Sequence, residues 1–213
     1  MFRKLMFISA MLALMPAAQA ARDDALVVPL QDRWAEIKYT LPEKQHAEQY
    51  AALAKEAHAV SEANPNVPAV LIWEGIIVSS EAGARGGLGA LSLAKQARKL
   101  LEESLKLDEG AMNGSAYTSL GTLYAKVPRW PVGFGDKERA EKLFKKALEI
   151  NPQGIDANFF YGEYLVEHDR VAEGRSHLER ALAAPPRPGR ELADAGRRRE
   201  IQALLNNIES DAD

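Results

Sequence analysis

Apolar residues along this chain recur mostly at spacings of three and four, the period that aligns side chains on one face of a helix. Between Leu26 and Thr40 the positions Leu30, Trp34 and Ile37 keep that spacing and predict a lead-in followed by a short helix. Thr40-Leu41-Pro42-Glu43 has the form of a capping box, in which Thr40 and Glu43 would satisfy reciprocal backbone donors. The next helix carries Tyr50, Leu53, Ala57 and Val60 on one face, and Asn64-Pro65 stops it. The run from Val67 to Glu81 is apolar nearly all round and rich in β-branched residues, so its periodicity alone does not separate a buried helix from a strand. Its length exceeds the usual 3–10 residues of a strand, and Gly75 falls in register with a glycine further on, which favours helix. A partner helix is predicted over Leu91 to Leu107.

The most informative stretch runs from Ser115 to Pro152. Tyr117, Leu120, Gly121 and Tyr124 are followed by Ala140, Phe144 and Pro152, an order that resembles the tetratricopeptide repeat signature. The resemblance implies two antiparallel helices that approach closely at the small Gly121 and Ala140 while the large residues lock between them. The same spacing recurs at Gly75, Ala97, Leu101 and Ser104, and again at Tyr161, Gly162, Leu165, Gly174, Leu178, Ala181 and Pro186. Asn158 stands where the pattern expects an aromatic. Gly174 stands where it expects alanine, at a cost of about 1 kcal/mol in a helix, so that helix is expected to be the loosest, with Asp169 capping its start. Residues 30–65 read as a degenerate N-terminal repeat. The last helix, Arg190 to Glu209, places Leu192, Ile201, Leu204, Leu205 and Ile208 on one face, and its polar remainder, including Arg197 to Arg199, suits a terminal unit on which nothing stacks. The expected fold is therefore an all-α, tetratricopeptide-like solenoid. It has about three helix-hairpin repeats, a degenerate N-terminal repeat and a C-terminal capping helix, in one domain over residues 21–209 with a frayed tail at 210–213.

The first twenty residues change this picture. Arg3 and Lys4 precede an apolar run from Leu5 to Met15, and Ala18-Gln19-Ala20 supplies a small-x-small cleavage pattern. The run is shorter than the roughly 20 residues of a spanning helix. Residues 1–20 are expected to be a signal peptide, cleaved after Ala20, with export to the periplasm. The chain has no cysteine, which excludes disulfides, thiolate ligands and thiol nucleophiles and gives no lipid-anchor cysteine at the cleavage site. The net charge of −3 becomes −5 once Arg3 and Lys4 are removed, which argues against nucleic acid, since a clustered basic face is its usual footprint. No later segment is apolar for long enough to imply stable membrane insertion.

Catalytic chemistry finds no support. His46, His58, His168 and His177 lack the spacing of a metal-binding helix, so no metal site is expected, and no nucleophile elbow occurs. The sequence predicts no enzyme and no cofactor. Functional signal lies instead in repeat lengths. Gly75 to Gly121 spans 46 residues and Gly121 to Gly162 spans 41, against about 34 for such repeats. The excess falls at Ala82 to Ala90 and at Lys126 to Asp136, and stacking in register would lay both connections along one edge. That edge offers Arg85, Arg129, Trp130 and Phe134 as partner-binding residues, Trp and Arg being enriched at interface hot spots. Trp130 and Phe134 equally admit a reading as plugs over the helix pair. Gly83 to Gly89 beside Arg85 admits anion binding or a plain flexible turn. A second surface, the concave groove, is expected to present Ile72, Ile76, Ser79, Thr118, Thr122, Phe159 and Glu163, although Ile72 and Ile76 also suit core packing.

Two functions follow. The first is a periplasmic scaffold that binds a protein or peptide partner in envelope assembly or transport. The second is a carrier or receptor for a small apolar or anionic solute. For the second, residues 67–186, with P-x-W-P…GD followed by K-x-x-A-x-x-L-F-x-x-A-L, look like the periplasmic helical-repeat subunit found with some TRAP-type solute transporters.

Overall fold

The computed structural model describes residues 9–210, and these form helices joined by short connections. They are α1 (Ser9–Thr40), α2 (Glu43–Ala63), α3 (Pro68–Arg85), α4 (Gly87–Leu107), α5 (Ala111–Lys126), α6 (Lys137–Ile150), α7 (Ile155–Val166), α8 (Val171–Leu182) and α9 (Glu191–Ser210). Among the described residues there is no strand, only an isolated bridge between Arg129 and Gly135. The signal-peptide expectation falls partly outside the described residues, because only 9–20 of that segment belong to α1. Residues 211–213 of the expected tail also lie outside them. No described helix is long and apolar enough to cross a membrane.

The ambiguous run after Val67 is helical for a local and a global reason. Pro68 occupies the first turn, where its fixed φ is pre-set for helix and its missing N–H is not needed. Its neighbours then bury the helix on every side, with Val70, Ile72 and Ile77 wholly removed from solvent, as an all-round apolar helix requires.

Helices α3–α4, α5–α6 and α7–α8 pack as hairpins, and α3, α5 and α7 lie side by side as an inner layer. One contact repeats through all three hairpins. A Cβ on Gly75 would sit 2.8 Å from Leu101 Cγ, one on Gly121 2.8 Å from the Phe144 ring, and one on Gly162 2.9 Å from Leu178 Cγ. Each glycine thus lets a large residue of the paired helix seat against bare backbone, and Leu101, Phe144 and Leu178 are at most 1% exposed. Gly174 is not a loosening residue, as the sequence reading had it. A Cβ there would meet Val166 Cγ2 at 2.6 Å and Gly162 O at 2.8 Å, so its bareness sets how closely α8 approaches α7.

Other local expectations give way to different solutions. Thr40 does not cap α2. Its hydroxyl donates to Glu36 O at 2.6 Å, back into α1, and Pro42 stands at the start of α2 with no side-chain cap. Asp169 does not cap α8 but takes a left-handed conformation (φ 62°) in the tight α7–α8 turn. The expected long connection at Ala82 to Ala90 is absent. Helix α3 runs on to Arg85 and α4 begins at Gly87, with only Gly86 (φ 63°) between them. The extra residues of that repeat lengthen its helices.

The C-terminal helix does more than cap. It packs on α8 and α7 and returns to α1, joining the two ends of the stack. Gly196 makes the approach possible, since a Cβ there would collide with the Tyr39 ring. Arg197, read from the sequence as part of a solvated face, is buried at 6% exposure. Arg198 donates to the carbonyls of Leu182 and Ala184 at the end of α8.

Two substitutions test the hairpin contact. Phe144→Ala should cost about 3–5 kcal/mol in urea unfolding, as emptying a well-packed aromatic site does. Gly121→Ala should cost about 1–3 kcal/mol through overpacking although alanine is the better helix former. Combined with Phe144→Leu it should cost less than the sum of the two changes, because they share one contact.

Candidate functional site

Joining the two ends leaves a partly open cavity of about 720 Å3 on the inner side of the stack, within the roughly 300–1,000 Å3 typical of small-molecule sites. Its lining comes from α1, α3, α4, α5, α7, α9 and the turns between them, and none from α2, α6 or α8. The apolar wall includes Trp34 and Trp73, Ile76, Leu91, Leu123 and Phe160. Hydroxyls of Ser79, Ser80, Thr118, Ser119 and Thr122 interrupt it. Several of these are already engaged. Ser80 accepts from Trp34 Nε1 at 2.8 Å and donates to Ile76 O, and Thr122 donates to Thr118 O.

The structure divides the sequence-derived groove residues. Ile76, Ser79, Thr118 and Thr122 line the cavity. Ile72 does not, because it is fully buried in the core around α3 to α6. Phe159 and Glu163 lie in a separate recess of about 300 Å3 between α7 and α9, with Glu200 and Leu204. Residues the sequence reading missed, Trp34, Trp73 and Phe160, supply the aromatic wall. They stood out only as members of helical stripes, and which stripe faces inward depends on the closure of the stack.

The edge residues also separate. Arg85 is exposed and pairs with Glu81 at 2.8 Å, so it reaches no cavity. Phe134 folds back against Tyr124, edge to face at 5.3 Å, beneath the Arg98 guanidinium at 4.4 Å. Trp130 turns outward and is 85% exposed, next to an exposed Arg129 and Val132. The Val127–Asp136 connection is pinned by Gly135 N donating to Pro128 O at 2.9 Å and Asp136 N to Tyr124 O at 2.9 Å. It also contributes Val127, Pro128 and Val132 to the cavity wall.

A strained turn borders the same space. Met112, Asn113 and Gly114 take left-handed conformations (φ 50°, 54° and 76°) before α5 continues as a right-handed helix. For the two non-glycine residues such backbone costs about 1–3 kcal/mol each, and it persists only where its surroundings hold it. Ser115 Oγ donates to Met112 O at 2.6 Å, and Gly114 packs on Ile150. Both Met112 and Asn113 line the cavity.

Charge is concentrated where α9 meets α7 and α1. Asp156 accepts from Arg197 Nε at 2.9 Å and Arg187 Nη1 at 2.8 Å, and Arg187 Nε also donates to Asp194 at 2.8 Å. Arg197 Nη1 donates to Glu200 at 2.6 Å, and Glu200 accepts from the Tyr39 hydroxyl at 3.1 Å. Burial pushes the Asp156 carboxyl up, but the Arg197 and Arg187 guanidiniums outweigh it and hold it at about 2. Arg190 differs. It lies over the Trp73 ring at 4.9 Å, and among the described residues it makes no ion pair. Its Nε is buried without a hydrogen-bond partner, as is Trp73 Nε1. Burial and the neighbouring Arg187 charge pull its pKa down, whereas carboxylates raise those of Arg187 and Arg197 despite burial. Among the described residues no group of three His, Asp or Glu side chains is placed to hold a metal ion.

The described residues thus form an all-helical stack around a mainly apolar, partly open cavity. The chain belongs to the TRAP transporter T-component family, whose model matches residues 30–210. The match extends on both sides of the 67–186 segment that carried the resemblance in the sequence. A search of curated proteins gave no match.

The charge seam gives a pH prediction. Asp156 titrates at about 2 in the folded protein against an ordinary 3.8, so its contribution to stability is present above pH 4 and is lost as pH falls towards 2. Asp156→Asn should lower stability at pH 7 by about 2 kcal/mol. That is below the roughly 3–5 kcal/mol of a fully buried pair, because Arg197 keeps Glu200. The gap between variant and wild type should narrow between pH 4 and 2, measured by thermal unfolding.

Proposed function

We propose that this protein is a periplasmic subunit of a TRAP-type transport system that holds a small, largely apolar solute in its inner cavity. The observation that carries this reading is the cavity itself: about 720 Å3, walled by aromatic and aliphatic side chains with a few hydroxyls among them. Family membership supports the transport setting, and the N-terminal sequence supports export. The hairpins are read as tetratricopeptide-like, their usual open groove narrowed into a deeper cavity by α9. The proposed role is binding.

A second role, docking to a protein component of the same transporter, is favoured by one feature. Trp130 stands 85% exposed on a connection whose other face lines the cavity. Large exposed aromatics beside arginine are the residues most often found to dominate interfaces, and here such a surface adjoins the solute chamber.

Two measurements test these readings. N-phenyl-1-naphthylamine, an apolar fluorescent probe, should bind the wild-type protein, and Ser119→Phe, which fills the cavity from α5, should weaken it at least tenfold. Equal binding by the variant would place the probe elsewhere and defeat the cavity reading. Trp130→Ala should leave probe binding and the melting temperature unchanged while abolishing capture of the other transporter components. Undiminished capture would remove Trp130 from the interface.

A further inference from the structure

We infer that the cavity selects a solute with a single carboxylate on an apolar body, and that Arg190 anchors this carboxylate beside Trp73. The inference rests on the reading of the cavity as a solute site and names the class of solute that the site takes.

The argument is one of charge accounting within a confined space. Four cationic side chains line the cavity: Lys126, Arg187, Arg190 and Arg197. Lys126 pairs with Glu163 at 3.1 Å and with Glu167. Arg187 is matched by Asp156 and Asp194, and Arg197 by Asp156 and Glu200. Glu200 also holds Lys38 at 3.2 Å. These carboxylates are committed. Among the described residues Arg190 forms an ion pair with none of them; Asp156, Asp194 and Asp32, the last on the exposed side of α1, attract it only from a distance, and burial and the Arg187 charge outweigh them. An arginine stays charged under all ordinary conditions, and a half-buried guanidinium with no anion in contact keeps an unmet electrostatic demand.

The immediate surroundings specify the anion. The Arg190 guanidinium lies over the Trp73 ring, which leaves a planar fork of donors suited to a planar carboxylate. Two buried donors at this place, Arg190 Nε and Trp73 Nε1, lack acceptors. Buried polar groups in folded proteins are otherwise almost always paired. Elsewhere in the lining Ile76, Leu91, Leu123 and Phe160 offer apolar surface for the rest of the molecule. With the other cations neutralised, a second charge on the solute would meet no partner, so a single carboxylate fits and a compact dianion does not.

The test compares decanoate with decan-1-ol, equal in chain length and different in charge, by titration calorimetry on the full chain. Wild type should bind decanoate at least tenfold more tightly than decanol. Arg190→Gln should bring the two affinities together while leaving that of decanol unchanged, which also shows that the cavity is intact. Arg190→Lys should restore part of the preference. Equal binding of the two probes by wild type, or a preference that persists in Arg190→Gln, would overturn the role of Arg190 and leave the apolar cavity reading standing. If Arg190→Gln binds neither probe, Arg190→Lys decides: a retained preference for decanoate supports the inference and equal binding overturns it. Failure of wild type to bind either probe would overturn both.

Discussion

The ion pairs of Asp156 join what would otherwise be the two loose ends of a helical stack. Asp156 sits in the first turn of α7, and its two oxygens take one guanidinium from the α8–α9 turn and one from within α9. That fixes the direction of α9, which then reaches α1, where Gly196 admits the Tyr39 ring. A repeat stack without such a return leaves an open groove, and with it the inner face becomes a deeper, partly open cavity. Breaking the seam would therefore change the kind of site the molecule offers as well as its stability. The seam also consumes the carboxylates within reach, and this is why a neighbouring arginine on the same turn is left without one.

The hairpin packing was legible in the sequence because it depends on local spacing. Gly75, Gly121 and Gly162 each face the large residue that the pattern paired with them, since a helix pair that crosses at a glycine places fixed positions opposite one another whatever the rest of the chain does. Asn158 shows where the same pattern conceals information. The signature expects an aromatic there, and the asparagine read as a weakened repeat. In the structure it is wholly buried, donates through Nδ2 to Pro152 O and Gly154 O, and accepts at Oδ1 from His177 Nδ1 at 2.9 Å. It replaces an aromatic lock with a polar clasp on the α6–α7 turn. Hydrogen bonding of this kind satisfies buried groups as fully as apolar packing removes them, but it leaves no periodic trace.

What the sequence could not reveal was set by contacts across large separations. The Arg197 to Arg199 run looks like a solvated face because charged residues seldom go inside unless paired, and the partner of Arg197 lies 41 positions earlier. The surplus residues after Val78 had two outlets, a longer connection or longer helices. The glycines at 83, 86, 87 and 89 favoured the first reading, but only Gly86 and Gly87 adopt positive φ. Gly83 stays inside α3, although its turn is exposed and a helical glycine costs roughly 1 kcal/mol. The candidate site shared this fate. Its hydroxyl-bearing inner positions followed from the repeat register, whereas its aromatic wall and its unmatched arginine required the closure.

The arrangement separates two demands that often conflict. A buried charge that binds a solute is costly to hold in its absence, and a protein that relies on it for folding cannot vary it without losing structure. Here the structural charges, Arg187 and Arg197, are neutralised within the chain and tie helices together, whereas Arg190 rests on the face of Trp73. That cation–π contact is worth about 0.5–2 kcal/mol, enough to orient the side chain without committing its donors. Stability thus resides in the matched pairs and selectivity in the unmatched residue one turn away. A chamber built this way can change the class of solute it accepts by altering a single position, with the seam that encloses it left intact.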